Sequence, residues 1–154
     1  KLDEVKMQIS LGTHIENLDI YSLSQSWINA GFLVGGLYLL IRKIIYWQIP
    51  TAFILGIFAT AGLLFLIDDN IYLPPQLHLM LGASMLGAFF IATDPVSSST
   101  TPKGRLIYGF LIGMLVVIIR VFGGYPDGVS FAVLLINIAV PLIDSYTKPK
   151  VFGK

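Results

Sequence analysis

Few side chains in this sequence could do chemistry, and those few are set in or beside long apolar runs: His78, Asp94, Arg120, Asn137 and Asp144. Asp94 is the most informative. It opens the tract Asp94-Pro95-Val96-Ser97-Ser98-Ser99-Thr100-Thr101, directly behind residues 77–93, which contain no Asp, Glu, Lys or Arg. Pro95 lacks a backbone N–H and pushes the residue before it out of helical geometry, so a helix through residues 77–93 must end or break near Thr93. At helical rise that run spans ~25 Å, slightly short of the ~30 Å hydrocarbon layer. A carboxylate at such a break is costly in lipid unless it faces protein, water or headgroups. Two roles fit it. As a turn and helix cap, the carboxylate would satisfy freed backbone N–H groups. As part of an ion route, the break would turn backbone groups and Ser/Thr hydroxyls toward a protein-lined cavity, as discontinuous transporter helices do. Asp94, with Thr93 beside it and Asn137 inside a later apolar segment, is therefore the candidate hinge or ion-path group.

Arg120 precedes the loop Gly123-Gly124-Tyr125-Pro126-Asp127-Gly128. Its guanidinium could hold a phosphate or carboxylate through a rigid fork of donors, or it could pair with Asp127 or snorkel to headgroups. His78 could contact a proton, quinone or ligand, or serve structurally at the interface. His14 is the only other histidine and cysteine is absent, so neither a histidine-rich metal or haem site nor disulfide or thiolate chemistry can be built from this chain. Neither a phosphate loop nor a Gly-x-Gly-x-x-Gly sequence occurs, which leaves no sign of nucleotide hydrolysis or a dinucleotide fold. No residue is assigned a catalytic role.

The elements that must position these groups are apolar and long. Hydrophobic residues make up 55% of the 154 and charged residues 12%, against about 25% charged in an average soluble domain. With a mean hydropathy of +0.79, the composition predicts an all-α, polytopic transmembrane helix bundle with interrupted or re-entrant helices. Five segments are predicted within residues 25–147, at 27–45, 50–67, 77–93, 106–119 and 129–143. Residues 1–24 read as an external polar stretch and 148–154 as a cytoplasmic tail. Gly31, Gly35 and Gly36 in the first segment, and Gly109 with Gly113 in the fourth, either mark close helix contacts or reflect the ordinary glycine enrichment of membrane helices. Pro50 suits a first helical turn, and Thr101-Pro102 suits a cap followed by proline at N1. Alternating the segments puts seven basic residues (Arg42, Lys43, Lys103, Arg105, Lys148, Lys150, Lys154) on one side and three (Lys1, Lys6, Arg120) on the other. That bias predicts a cytoplasmic side at the Lys43, Arg105 and Lys148 ends and an external amino end. The net charge of +1 gives no reason to expect a nucleic-acid partner.

The strings MLGAFFIATDPVSSSTTPKGRLIYG (residues 85–109) and IRVFGGYPDGVSFAVLLINIAVPLIDSYTKPKVFG (residues 119–153) resemble the carboxy-terminal half of the RnfD subunit of Rnf ion-translocating electron-transport complexes. More distantly they are similar to the NqrB subunit of the sodium-pumping NADH:quinone oxidoreductase. The resemblance covers essentially the whole chain. It implies one half of a repeated, urea-transporter-like architecture, interrupted between residues 83 and 95 and again near residues 125–131. It further implies a multi-pass subunit in a bacterial or archaeal cell membrane, the inner membrane in Gram-negative cells.

Such complexes transfer electrons between ferredoxin and NAD through flavin and iron–sulfur centres, coupled to sodium or proton movement. In some bacteria the role is instead to keep a redox-sensing regulator reduced. The resemblance implies partners among the other Rnf subunits, especially the membrane subunits and the flavin-bearing RnfG, together with membrane lipid. It also implies FMN, linked to a threonine of a Ser/Thr-Gly-Ala-Thr sequence. This chain has no such sequence. The attachment threonine is expected upstream of Lys1, with Arg120, Tyr125 and Asp127 as candidate bordering residues. A stand-alone channel or secondary transporter, or a membrane scaffold without a redox role, is the alternative expectation.

Overall fold

The computed structural model describes residues 15–68, 72–80, 82–123 and 128–149, and among them the secondary structure is helical with connecting turns. The order is α1 (Ile15–Ile41), α2 (Gln48–Ile67), a short α3 (Pro75–Met80), a shorter α4 (Ser84–Leu86) continued by a π-helical turn (Gly87–Ile91), then α5 (Pro102–Phe122) and α6 (Val129–Thr147). Helices α2, α5 and α6 are each long and apolar enough, by length and composition, to cross a membrane. Their 20, 21 and 19 residues correspond to about 30 Å of helix. Leu55, Leu63, Leu66, Leu134, Ile138 and Leu142 remain exposed on their outer faces. An apolar surface of that extent fits lipid better than water.

Several helix ends follow from local sequence. Helix α1 stops at Ile41 rather than running on to residue 45, because Lys43 takes a left-handed conformation (φ 56°). The amides of Lys43 and Ile44 then return to the carbonyls of Leu40 and Leu39, at 2.9 and 3.0 Å, closing the helix with the paired bonds of a Schellman turn. Pro50 sits in the first turn of α2. Thr101 caps α5 by accepting from the Gly104 amide at 3.0 Å, with Pro102 at N1. Helix α6 continues past the predicted end at 143, through Pro141, to Thr147.

Glycine sets the central crossing. A Cβ at Gly113 would strike the Phe53 carbonyl and lie 3.1 Å from the Gly56 Cα. One at Gly109 would strike the Ile49 carbonyl and come within 3.1 Å of the Ala52 methyl. Gly109 and Gly113 thus lay the backbone of α5 directly on that of α2, settling their reading in favour of close contact. Of the three glycines in α1, Gly36 is pressed against the Phe89 ring, whereas Gly31 meets nothing within 4 Å. Around the crossing, Phe53, Ile57, Tyr108, Ile112, Val116 and Ala132 are fully buried.

The predicted single segment at 77–93 is interrupted twice. The first break, at residues 82 and 83, comes well before Thr93 and contains Gly82 at φ 65°, a backbone conformation glycine adopts without penalty. The π turn then widens the helix, the Ala92 amide reaching back five residues to the Gly87 carbonyl at 2.8 Å, and regular helix ends at Ile91. Asp94-Pro95 lies just beyond that end, in the nonhelical stretch before α5.

Replacing Gly113 by Ala should destabilise the intact protein by roughly 1–3 kcal/mol, since the added methyl meets backbone that cannot swing aside. Gly62→Ala, whose methyl would lie 3.9 Å from the Pro75 ring, should be nearly neutral. Thermal unfolding of the two variants in detergent measures the contrast.

Candidate functional site

A helix break in an apolar environment leaves carbonyls and amides without ladder partners, and each must be met by another donor or acceptor. Here α1 and α5 supply them. Asn29, 4% exposed on α1, donates from Nδ2 to the carbonyls of Met80 (2.7 Å), Gly82 (3.1 Å) and Gln25 (3.1 Å), and its Oδ1 accepts from the Met85 amide at 3.4 Å. Gln25, one turn earlier, also donates to the Gly82 carbonyl at 3.2 Å. From the opposite side, Arg120 of α5 donates to the His78 carbonyl at 2.7 Å and the Ser84 hydroxyl at 2.9 Å. Ser84 itself donates to the same His78 carbonyl at 2.7 Å. Arg120 therefore turns toward the break. His78 is buried and contributes its backbone oxygen.

The other end of the interrupted segment is looser. The Asp94 carboxylate accepts from the Ser97 hydroxyl at 2.8 Å and from the amides of Ser97 and Val96 at 3.3 and 3.4 Å, the local turn that the capping role describes. The Ser97 hydroxyl bond, ahead of the two amide bonds, holds the Asp94 carboxyl below its ordinary value. Asp94 and Ser97 also line a cleft of about 580 Å³, together with Phe90, Ile91 and, from α6, Ser130, Val133, Leu134 and Asn137. Asn137 Oδ1 accepts from the Tyr108 hydroxyl of α5 at 2.7 Å. Two of the three sequence-predicted ion-path residues, Asp94 and Asn137, thus share one cleft on different elements. Thr93 does not join them there; its hydroxyl bonds back to the Phe89 carbonyl at 2.6 Å.

Beyond the cleft, the Ser/Thr tract is latched to the end of α6. Asp144 accepts from the Ser99 hydroxyl, from the Thr100 hydroxyl at 2.9 Å and from the Thr100 amide at 3.1 Å. Thr101 and Thr147 share a further hydroxyl bond. Arg105 ties the same corner to the α1–α2 turn, donating Nε to the Ser99 carbonyl at 3.2 Å with its guanidinium 3.5 Å over the Tyr46 ring.

Sequence reasoning passes over Asn29, Gln25, Tyr108 and Ser130. Asn29 has a readable signal: a carboxamide inside an apolar segment is expensive unless it is bonded, so its presence in residues 27–45 already demands partners. Tyr108 and Ser130 are ordinary residues in membrane helices, and their roles depend on which helix faces which. Tyr125 and Asp127, the other candidate flavin neighbours, lie outside the described residues.

Apolar helices enclosing an interrupted one, with an acidic cleft at one end, define a polytopic helical membrane protein with a discontinuous helix. The chain belongs to the NQR2, RnfD, RnfE family, whose profile matches residues 3–153. It is 65% identical over 127 residues to the D subunit of the ion-translocating oxidoreductase complex of Yersinia enterocolitica, an alignment covering 82% of this chain and 36% of that protein. The corresponding protein of Yersinia pestis is 62% identical over 131 residues, 85% of this chain and 37% of the relative. That of Pectobacterium atrosepticum is 51% identical over 160 aligned positions, 99% of this chain and 46% of the relative. The chain therefore spans less than half the length of these relatives.

The lowered Asp94 titration gives a signed expectation. Bonds that favour the carboxylate stabilise the turn fully above the unfolded pKa, and that contribution is lost as pH falls through the lower native value. Ser97→Ala should raise the Asp94 titration toward that of an ordinary carboxyl group. Infrared difference spectra of the carboxyl C=O band, with Asp94→Asn to identify it, would detect the move.

Proposed function

We propose that this chain is a membrane part of an Rnf-type ion-translocating oxidoreductase complex and that it lines the ion route while the redox centres lie outside this chain. The cleft at Asp94 carries this reading. It joins a carboxylate to two hydroxyls and a carboxamide from separate elements, and among the described residues Asp94 has no cationic partner. A carboxylate in that setting favours a passing sodium ion or proton, and the interrupted helix leads directly to it. Under this reading the complex couples ferredoxin–NAD electron transfer to sodium or proton movement. The Lys43, Arg105 and Lys148 end faces the cytoplasm of a bacterial or archaeal cell and the amino end faces out, following the basic-residue bias. The halved, urea-transporter-like architecture with re-entrant character is part of the same proposal, as are contacts to the other membrane subunits and to RnfG.

FMN does not fit the described residues. The chain lacks a Ser/Thr-Gly-Ala-Thr sequence, and the Arg120 Nη1 donor is directed at His78 and Ser84. We therefore assign the threonine-linked flavin to the part of the longer protein outside this chain and route no step through it here.

In the complete complex, Asp94→Asn should lower ion transport about tenfold or more, the scale of losing one charged contact. Transport driven by electron donor is measured in vesicles alongside assembly. Unchanged transport at normal assembly would remove Asp94 from the route. Solute flux through the purified protein without an electron donor would favour a stand-alone channel or transporter.

A further inference from the structure

Helices α1 and α5 both hold the broken segment, and each bonds to both of its halves. Arg120 of α5 binds the first half at the His78 carbonyl. One face of α1 grips the second half at four heights, through Gln25, Asn29, Phe32 and Gly36, whose spacing of four, three and four residues keeps them in line. Gln25 donates to the Gly82 carbonyl at the break. The Phe32 ring meets that of Phe90 edge-on, with centroids 5.8 Å apart, and Gly36 lies against Phe89 so closely that no methyl fits. Phe90, in turn, lines the Asp94 cleft.

Asn29 differs in kind from its neighbours on that face. In an unbroken helix the Met80 carbonyl would accept from the amide at 84, and the Met85 amide would donate to the carbonyl at 81. Asn29 Nδ2 instead takes the Met80 carbonyl at 2.7 Å, and Asn29 Oδ1 takes the Met85 amide at 3.4 Å. One side chain thus meets backbone groups on each side of the break, using both ends of a single amide. Asp would lack the donor and Ser the reach.

We infer that Asn29 is a positioning residue for ion translocation, splicing both half-helices to α1 so that the placement of α1 sets that of Phe90 and the Asp94 cleft. This rests on the ion-route reading of that cleft. Gly82, at positive φ, supplies the pivot between the halves.

The test uses the complete complex. Asn29→Leu keeps the bulk of the side chain and removes its four hydrogen bonds. Gly36→Ala pushes the same half-helix through Phe89 without touching those bonds. Both should lower the ions moved per electron about fivefold, within the range of ordinary intersite coupling, while donor oxidation per assembled complex stays within about twofold. Amide exchange at Met85 should rise about tenfold in Asn29→Leu as its acceptor disappears. Faster exchange with an unchanged ion-to-electron ratio makes Asn29 a fold contact and overturns the inference. If Asn29→Leu does not assemble, an unchanged ratio in assembled Gly36→Ala overturns it equally. Asp94→Asn in the same assay separates the two ideas. Loss of coupling there, with coupling intact in the α1 variants, removes this inference alone. Intact coupling in Asp94→Asn removes the reading of the cleft, and this inference with it.

Discussion

Everything distinctive in this fold depends on satisfying backbone polar groups where a helix is interrupted away from water. An unmet carbonyl or amide in hydrocarbon costs several kcal/mol, so a break with two or three of them would not persist without outside partners. Most partners come from helices distant in sequence, Asn29 and Gln25 from α1 and Arg120 from α5, and Ser84 adds one from the segment itself. The interruption is consequently a property of the bundle. The isolated sequence of residues 75–91 has a glycine to permit the bend but too few donors to hold it.

Bringing those donors into place requires helices that approach closely, and in lipid apolar burial supplies little of the drive. The α2–α5 crossing meets this need with Gly56, Gly109 and Gly113, which let backbones touch and turn dispersion contact into the main attraction. Once α5 is fixed on α2, Arg120 stands at one end of it, beside the break, and Thr101 stands at the other, beside the α6 latch. One rigid helix thereby sets the geometry of both ends of the interrupted segment. The latch at Asp144 then places α6, and with it Ser130 and Asn137, against the cleft.

The sequence is legible where its signals are local. Apolar runs, Pro50, the Thr101-Pro102 cap and the basic ends give the helices α2, α5 and α6 to within a turn or so, because caps and prolines act on their own neighbours. Asp94 is also legible as the end of an apolar run. The break at Gly82 is not, since a glycine in an apolar stretch reads as ordinary membrane glycine until the donors opposite it are known. For the same reason Arg120 reads as an external group: its sequence position at a helix end says nothing of a carbonyl 42 residues away. Asp144 has a legible location without a legible role, because the hydroxyls it accepts from lie some 45 residues earlier.

The two ends of the interrupted segment are chemically unequal, and the inequality gives the segment a direction. At the break, an arginine and two carboxamides all act as donors to carbonyls, so the freed oxygens are occupied and unavailable to a cation. Beyond the far end a carboxylate closes the following turn, accepting from the neutral hydroxyl of Ser97 and the amides of Val96 and Ser97. Those bonds lower its proton affinity and leave its charge uncompensated by a side-chain cation among the described residues. Reversing the residues would leave carbonyls unfilled at one end and amides facing a guanidinium at the other, unfavourable in both places. The two ends are both carboxy-terminal ends of helical segments, so the difference between them comes from the side chains set there, donors at the break and an accepting carboxylate at Asp94.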